Sequence, residues 1–288
     1  MTQEIPNKKL KEYVEKKVRE TIKKYLMLSK TDKIAVAVSG GKDSTVCLYI
    51  LKKLGYDVEG INLDPSIGEY TDQNIKNLKT VCKKNNIKLT ILSFKKEFGM
   101  TLKEIQDKLK EKGHNNSSCM ICGILKRYLL NKYAKKKKFN AVVTGHNLDD
   151  EAQAFMMNIF RNDTKLAKSQ GPISGSSNSS KFVKRVKPLY WISEEEVKRY
   201  SKIMKFTVYY GICPLSKEAY RRTYRKILDD FEKNHPAVKY NLLRFHERLI
   251  LPLKKEIEFE EINSCEKCGE PASNKMCRAC NILKDMNT

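Results

Sequence analysis

Between an apolar run, Ile34-Ala35-Val36-Ala37-Val38, and a helical pattern running from Val46 to Leu54 lies Ser39-Gly40-Gly41-Lys42-Asp43-Ser44. No other stretch restricts the chain as much. A strand, a glycine turn and a helix in that order bring backbone N–H groups and a helix N-terminus to one point, which holds an anion. Two glycines let the main chain approach a phosphate with no Cβ between. Ser39 and Ser44 add hydroxyls and Lys42 a cation. Asp43 is out of place beside a bare phosphate, so it implies a bound Mg²⁺ or a role in holding the loop. The spacing is not that of a Walker loop. The plain alternative is a structural turn.

Strands and helices alternate from there. Strands are expected at 33–38, 57–63, 89–92 and 141–144, and helices at 43–54, 70–84, 101–111, about 119–136 and from after Asp150 to about Arg161. This alternation predicts an α/β fold, a doubly wound, mostly parallel sheet. Ligands of such sheets sit at the carboxyl ends of the strands. Ser39, Asp64, Gly145 and Asp150 all fall there. Residues 7–28 carry Leu10, Val14, Val18, Ile22 and Leu26 at four-residue steps among lysines and arginines, an amphipathic basic helix. Residues 164–181 read as a loop, Val186–Tyr190 as a strand or extended segment, Glu194, Glu195 and Glu196 as the first turn of a helix capped by Ser193, and 216–232 and 237–258 as helices. The expected division is 1–30, a basic helix; 31–232, a catalytic domain; 233–262, a helical segment; and 263–288, a metal module.

Lys and Arg number 57 against 34 Asp and Glu, a formal charge of +23. Such an excess implies a polyanionic partner, with nucleic acid first and an acidic membrane surface second. No apolar run approaches the roughly 18 residues needed to span a bilayer, and Met1–Pro6 lacks a signal-peptide core. The expected compartment is cytoplasmic, where nine cysteines argue for metal or catalysis rather than disulfides.

Cys265-x₂-Cys268 and Cys277-x₂-Cys280 have the spacing of a closed tetrahedral Zn²⁺ site, with Gly269 at the turn after the first pair. Cys119 and Cys122 form a lone C-x-x-C at the start of a helix, which fits a redox pair, half of a metal site or two core residues. Cys213, in Gly211-Ile212-Cys213-Pro214, reads alone as a core residue, as do Cys47 and Cys82.

The glycine turn resembles the signature of the PP-loop ATPases. Ser118-Cys119-x-x-Cys122-Gly123-x-x-Lys126-Arg127, Thr144-Gly145-His146-Asn147-Leu148-Asp149-Asp150-Glu151-Ala152, and Gly211-Ile212-Cys213-Pro214 followed by Arg221-Arg222 are similar to later motifs of their tRNA 2-thiolation branch, the TtcA/TtuA/NcsA group. The four C-terminal cysteines look like its zinc site. The resemblance runs from about residue 33 to the end. Enzymes of the TtuA type usually begin with a second four-cysteine module, whereas residues 1–30 here hold no cysteine.

The resemblance implies an ATP-dependent tRNA sulfurtransferase that forms AMP and pyrophosphate and makes 2-thiouridine. It implies that Cys119, Cys122 and Cys213 hold a 4Fe–4S cluster, the other scheme being a persulfide on Cys119 or Cys122. ATP is expected at Ala37, Val38, Ser39, Gly40, Gly41, Lys42, Asp43, Ser44, Leu63, Lys126, Gly145 and Asp150. Lys126 is expected to stabilise phosphate charge, and Asp150, ahead of Asp149, to bind Mg²⁺ or act as base. Arg161, Arg221, Arg222, Arg225 and Lys135–Lys138 are expected to meet tRNA backbone. Sulfide or a ubiquitin-like thiocarboxylate carrier is the implied sulfur donor, and a homodimer the implied assembly. The rivals are a 2-thiocytidine or lysidine type of adenylating tRNA enzyme and a non-catalytic zinc-containing RNA binder.

Overall fold

The four apolar runs expected as strands within the first 150 residues become neighbouring strands of one sheet. The computed structural model describes residues 6–174, 182–216, 220–253 and 263–287. Its main sheet has the order β3-β2-β1-β4-β6-β5, with β1 Lys33–Ala37, β2 Asp57–Asp64, β3 Lys88–Ser93, β4 Ala141–Thr144, β5 Ile173–Ser174 and β6 Lys184–Val186. All neighbours pair parallel except the edge strand β5, which runs antiparallel to β6.

The central strands are apolar on both faces because helices cover both. Ile34 and Val36 of β1 join one core, and Ala35 between them joins the other, as the two-residue period of a strand requires. The first core takes side chains from α1 (Asn7–Lys24), α2 (Lys42–Lys53), α3 (Glu69–Lys84) and α9 (Glu194–Ile203). The second takes them from α5 (Leu102–Glu111), α6 (Ser118–Lys136) and α12 (Arg278–Asn287). The remaining helices are α4 (Phe94–Phe98), α7 (Leu148–Phe160), α8 (Thr164–Ser169), α10 (Arg221–Asn234) and α11 (Val238–Phe245). Among the described residues no helix is long and apolar enough to cross a membrane.

The four-residue stripe of α1 is buried at Leu10, Val14, Val18 and Ile22. Each such side chain contributes about 1.5–3 kcal/mol when taken from water. Leu26 is not part of it. The helix ends at Lys24, Leu26 turns through φ +48° and is 84% exposed, and Met27 fills the core instead. The stretch expected as a loop from 164 holds α8, capped by Asp163, and then β5, while 175–181 lie outside the described residues. The strand expected at Val186–Tyr190 is shifted to Lys184–Val186, and Leu189–Ile192 form a buried turn. The helix expected over 216–232 begins at Arg221 and ends at Asn234. That expected over 237–258 is α11 followed by a π-helical turn, His246–Ile250, and 254–258 lie outside the described residues.

Ser39, Asp64 and Gly145 do end three adjacent parallel strands. Gly40 takes φ +89°, and a Cβ on it would lie 2.7 Å from the Asn74 Cβ. Gly145 packs flat on the glycine turn, so a Cβ there would lie 2.7 Å from the Ser44 nitrogen and 2.9 Å from the Asp43 carbonyl carbon. Backbone cannot yield as a flexible side chain can. We therefore expect Gly145→Ala to destabilise the fold by about 1–3 kcal/mol, the usual result of overpacking, as measured by urea unfolding. Gly99→Ala, with open space around its missing Cβ, should pay only for its left-handed φ of +76°.

Candidate active site

A cavity of about 290 Å³ opens at the carboxyl ends of β1 and β2. Ser39 and Leu63 line it, together with Cys119, Cys122 and Lys126 from α6, and Cys213 from the segment after α9. Ser117 caps α6 by accepting a hydrogen bond from the Met120 N–H, which fixes where the helix begins. Positions 119, 122 and 126 then fall on one helical face, opposite the buried Ile121, Leu125 and Leu129. Cys213 is held over that face by a short 3₁₀ turn, Pro214–Ser216. The Ser216 N–H and hydroxyl both donate to the Cys213 carbonyl, at 3.0 and 2.7 Å. The Cys119 thiol lies 3.9 Å from the Leu215 carbonyl.

A helix N-terminus alone would favour thiolates. Here burial dominates and raises the pKa of both Cys119 and Cys122, with Lys126 pulling each back down. The three thiols share a cavity, yet among the described residues they do not crowd within 4.8 Å of one another as the ligands of a single ion do. Three thiols lining one cavity offer the soft ligands that an iron–sulfur cluster takes.

The glycine turn is tied to itself. The Ser39 N–H donates to the Ser44 hydroxyl at 3.2 Å, and the Gly41 N–H donates to the Ser39 hydroxyl at 3.3 Å. Lys42 leaves the cavity and contacts both Asp43 and Glu194 at 2.9 Å. Burial would lower its pKa, but the two carboxylates outweigh that and raise it. Asp43 is raised, by burial first and then by Asp150, against the pull of Lys42 and an Asn147 amide that donates to it at 2.9 Å. Ala37 pairs with Ile61 and Thr144 inside the sheet, and Val38 is buried, its carbonyl accepting from the Asn62 amide at 2.7 Å. Neither lines the cavity.

Asp149 and Asp150 separate into different surroundings. Asp150 completes the capping box of α7 with Asn147 and lies 3.4 Å from Arg221. Asp149 is buried, accepts the Glu194 N–H at 2.7 Å and pairs with Lys239 at 2.6 Å. The Lys239 ammonium, 4% exposed, also meets Asp229 and Glu232 at 2.7 Å each. These three carboxylates have the spacing of a cation site, and the cation in it is Lys239. Arg225 pairs with Glu194, and the Arg161 guanidinium stacks 4.2 Å over the Tyr220 ring. Lys135–Lys138 fall at the far end of α6, beside the amino end of β1, where Lys33 donates to the Lys137 carbonyl. They are remote from the cavity.

Cys265, Cys268, Cys277 and Cys280 bring their sulfurs within 4.8 Å of one another, with Gly269 turning at φ +69°. The Cys277 N–H donates to the Cys265 sulfur at 3.3 Å and the Cys280 N–H to the Cys277 sulfur at 3.4 Å, the pattern of a metal knuckle. Cys47 and Cys82 are buried, as core residues should be.

Asn62, Tyr70 and Asn74 also line the cavity and were not singled out from the sequence. Asn62 carries a signal, a polar residue inside an apolar strand, and its buried Oδ1 has no partner among the described residues. Tyr70 and Asn74 read as ordinary polar positions of an amphipathic helix.

Residues 10–210 match the PP-loop domain family. The chain belongs to that family. It is 36% identical over 280 residues to the tRNA-5-methyluridine(54) 2-sulfurtransferase of Pyrococcus horikoshii, covering 96% of this chain and 87% of that one. It is 32% identical over 278 residues to the cytoplasmic tRNA 2-thiolation protein 1 of Caenorhabditis elegans, covering 94% and 72%. Among solved structures it resembles the U34-tRNA thiolase NcsA from Methanococcus maripaludis with its 4Fe–4S cluster, at a TM-score of 0.80 and 32% identity over 97% of this chain and 89% of that one. This PP-loop protein therefore falls in the tRNA 2-thiolation branch.

Replacing Lys239 with Met would leave Asp149 buried without its cation. We expect a loss of about 3–5 kcal/mol, the usual result of breaking a buried pair from one side, measured by denaturant unfolding. Lys233→Met, which removes an exposed partner of Asp230, should change stability by less than about 1 kcal/mol.

Proposed function

We propose that this PP-loop protein is a tRNA 2-thiouridine synthetase that activates the C2 oxygen of a uridine with ATP and replaces it with sulfur. The observation that carries the reading is the meeting of Cys119, Cys122, Cys213 and Lys126 with Ser39, the first residue of the glycine turn, in one cavity. The names of the relatives at 32–36% identity support it, as does the excess of basic residues. A non-catalytic RNA binder has no use for such a cavity.

ATP would lay its phosphates along the N-terminus of α2, whose first-turn N–H groups favour an anion, and its base near Leu63. The unpartnered Asn62 Oδ1 beside Leu63 is suited to accept a hydrogen bond from an amino group. Asp43 and Asp150, close enough for one to raise the other's pKa, would hold Mg²⁺ on the phosphates. The target uridine would be turned out of its stack to reach the cavity. Its C2 oxygen bonds to the α-phosphorus as the bond to pyrophosphate breaks, and Lys126 offsets the negative charge that develops. Cys119, Cys122 and Cys213 would hold a 4Fe–4S cluster, which would supply the sulfur nucleophile. AMP departs with the original oxygen. Sulfide or a thiocarboxylate carrier would replenish the sulfur. Cys265, Cys268, Cys277 and Cys280 would hold a structural Zn²⁺ with no open position. Ile227, Phe231, Phe245 and Leu249, each 45–55% exposed, give a homodimer an apolar face.

The test is an anaerobic reaction of cluster-reconstituted protein with unmodified tRNA, ATP, Mg²⁺ and sulfide, followed by nucleoside mass spectrometry. The expected product is 2-thiouridine, formed only with ATP, and fragment mapping gives its position. AMP and pyrophosphate without a thionucleoside would leave adenylation standing and reject the base or the donor. Neither product with an intact cluster would reject the enzyme. Lys126→Ala should slow the reaction about 10²–10³-fold, and Cys213→Ala should lower bound iron and abolish thiolation, while Cys47→Ala should do neither.

Zinc makes a separate prediction. Cys277→Ser should bring the zinc content of the purified chain to near zero and lower its melting temperature. Unchanged zinc would show that Cys277 is not a ligand.

A further inference from the structure

A second cavity, of about 420 Å³, lies between α1 and α11, away from the cysteines. Its cations come from two helical stripes. Lys17 and Lys24 lie seven residues apart on α1, while Arg244 and Arg248 lie four apart across α11 and the π-helical turn. Both spacings keep side chains on one face, and four residues of helix advance about 6 Å. Trp191 and Tyr240 line the space between the stripes. The Lys24 ammonium lies 5.5 Å from the Trp191 ring centre, and the Arg244 guanidinium 5.1 Å from that of Tyr240.

The acids of the groove are Glu20 and Glu247, two against four cations. Glu247 is already engaged, by Lys24 at 2.6 Å and by the Tyr25 hydroxyl at 2.6 Å. Lys17 is half-buried and donates to a hydroxyl, that of Tyr13, at 2.6 Å. Burial lowers its pKa, with Glu196 and Glu20 opposing. A partly desolvated ammonium on a hydroxyl gains from an added anion. Cations beside aromatic rings are what a nucleic-acid strand requires, since phosphates take the charges and bases or riboses take the rings.

Two of the groove's aromatic residues are tied by the chain to elements at the carboxyl end of the sheet. Trp191 follows the carboxyl end of β6, and the carbonyl of the next residue, Ile192, accepts the Leu148 N–H at the start of α7. Tyr240 follows Lys239, the cation on Asp149.

We propose that this groove between α1 and α11 holds the sugar–phosphate backbone of the tRNA outside the target nucleotide. The proposal rests on the thiolation reading and gives it a docking surface. The residues concerned are Lys17, Lys24, Trp191, Tyr240, Arg244 and Arg248.

The test compares the parent with Arg244→Glu/Arg248→Glu, and with Arg244→Gln/Arg248→Gln, in binding unmodified tRNA across a series of salt concentrations. Both arginines are exposed, so folding should survive, and the melting temperature checks this. A charge-matched control, Lys52→Glu/Lys83→Glu, alters exposed lysines at the C-terminal ends of α2 and α3. We expect the reversal variant to bind about tenfold or more weakly. The slope of log K against log salt should shrink by about 1–2, as for two lost phosphate contacts. KM for tRNA should rise with kcat little changed. Equal binding by parent and variants, or an equal loss in the control, overturns the groove. A parent that binds no tRNA rejects the thiolation reading itself, so the two failures are distinguishable.

Discussion

The face of Gly145 against the backbone of Asp43 and Ser44 is the contact on which the site depends. Only a residue without a Cβ lets the turn after β4 lie directly on the turn after β1. That approach brings Asn147 within reach of the Asp43 carboxylate, and Asn147 also caps α7. One small residue therefore sets the distance between two helix N-termini. Their partial positive charges then point toward the same space, where a polyphosphate carries its negative charge.

A buried ammonium extends this arrangement outward. Lys239 joins α11 to Asp149 of α7 and to Asp229 and Glu232 of α10. The other oxygen of Asp149 receives the first N–H of α9. Four helices meet at one carboxylate and one amine. A buried pair of this kind adds little net stability compared with an apolar cluster of the same volume, but it tolerates few alternative geometries. It fixes α10, whose first two turns place Arg221 beside Asp150 and Arg225 on Glu194.

What the sequence made legible followed from chemistry that is local along the chain. The glycine turn, the strand ends at Ser39, Asp64 and Gly145, the α1 stripe as far as Ile22 and the four C-terminal cysteines are each patterns within about 20 residues, and each stands where expected. The meeting of Cys213 with Cys119 and Cys122 is not local, and only the resemblance to a family pointed to it. Lys239 is a different kind of omission. A lysine in a basic chain reads as solvated surface, and nothing nearby in sequence shows that three carboxylates from two other helices converge on it. Leu26 erred in the opposite direction. It continued a periodic stripe, but the helix had already ended at Lys24.

The C-terminal cysteines are also less separate than their spacing implies. Cys265, Cys277, Cys280, Ile282 and Met286 belong to the same apolar core as Ile121, Leu125 and Leu129 of α6. Glu270 reaches back to Asn131 and Lys135 of that helix, and Asp285 reaches His114. A metal that orders the module therefore also presses on α6, and α6 is the helix that carries Cys119, Cys122 and Lys126 at its other end. A helix is stiff along its axis, so support applied at its middle and far turns fixes the N-terminal turn where the thiols sit. The C-terminal cysteines and the cavity cysteines thus share α6, and the packing of the first group supports the position of the second across from the glycine turn.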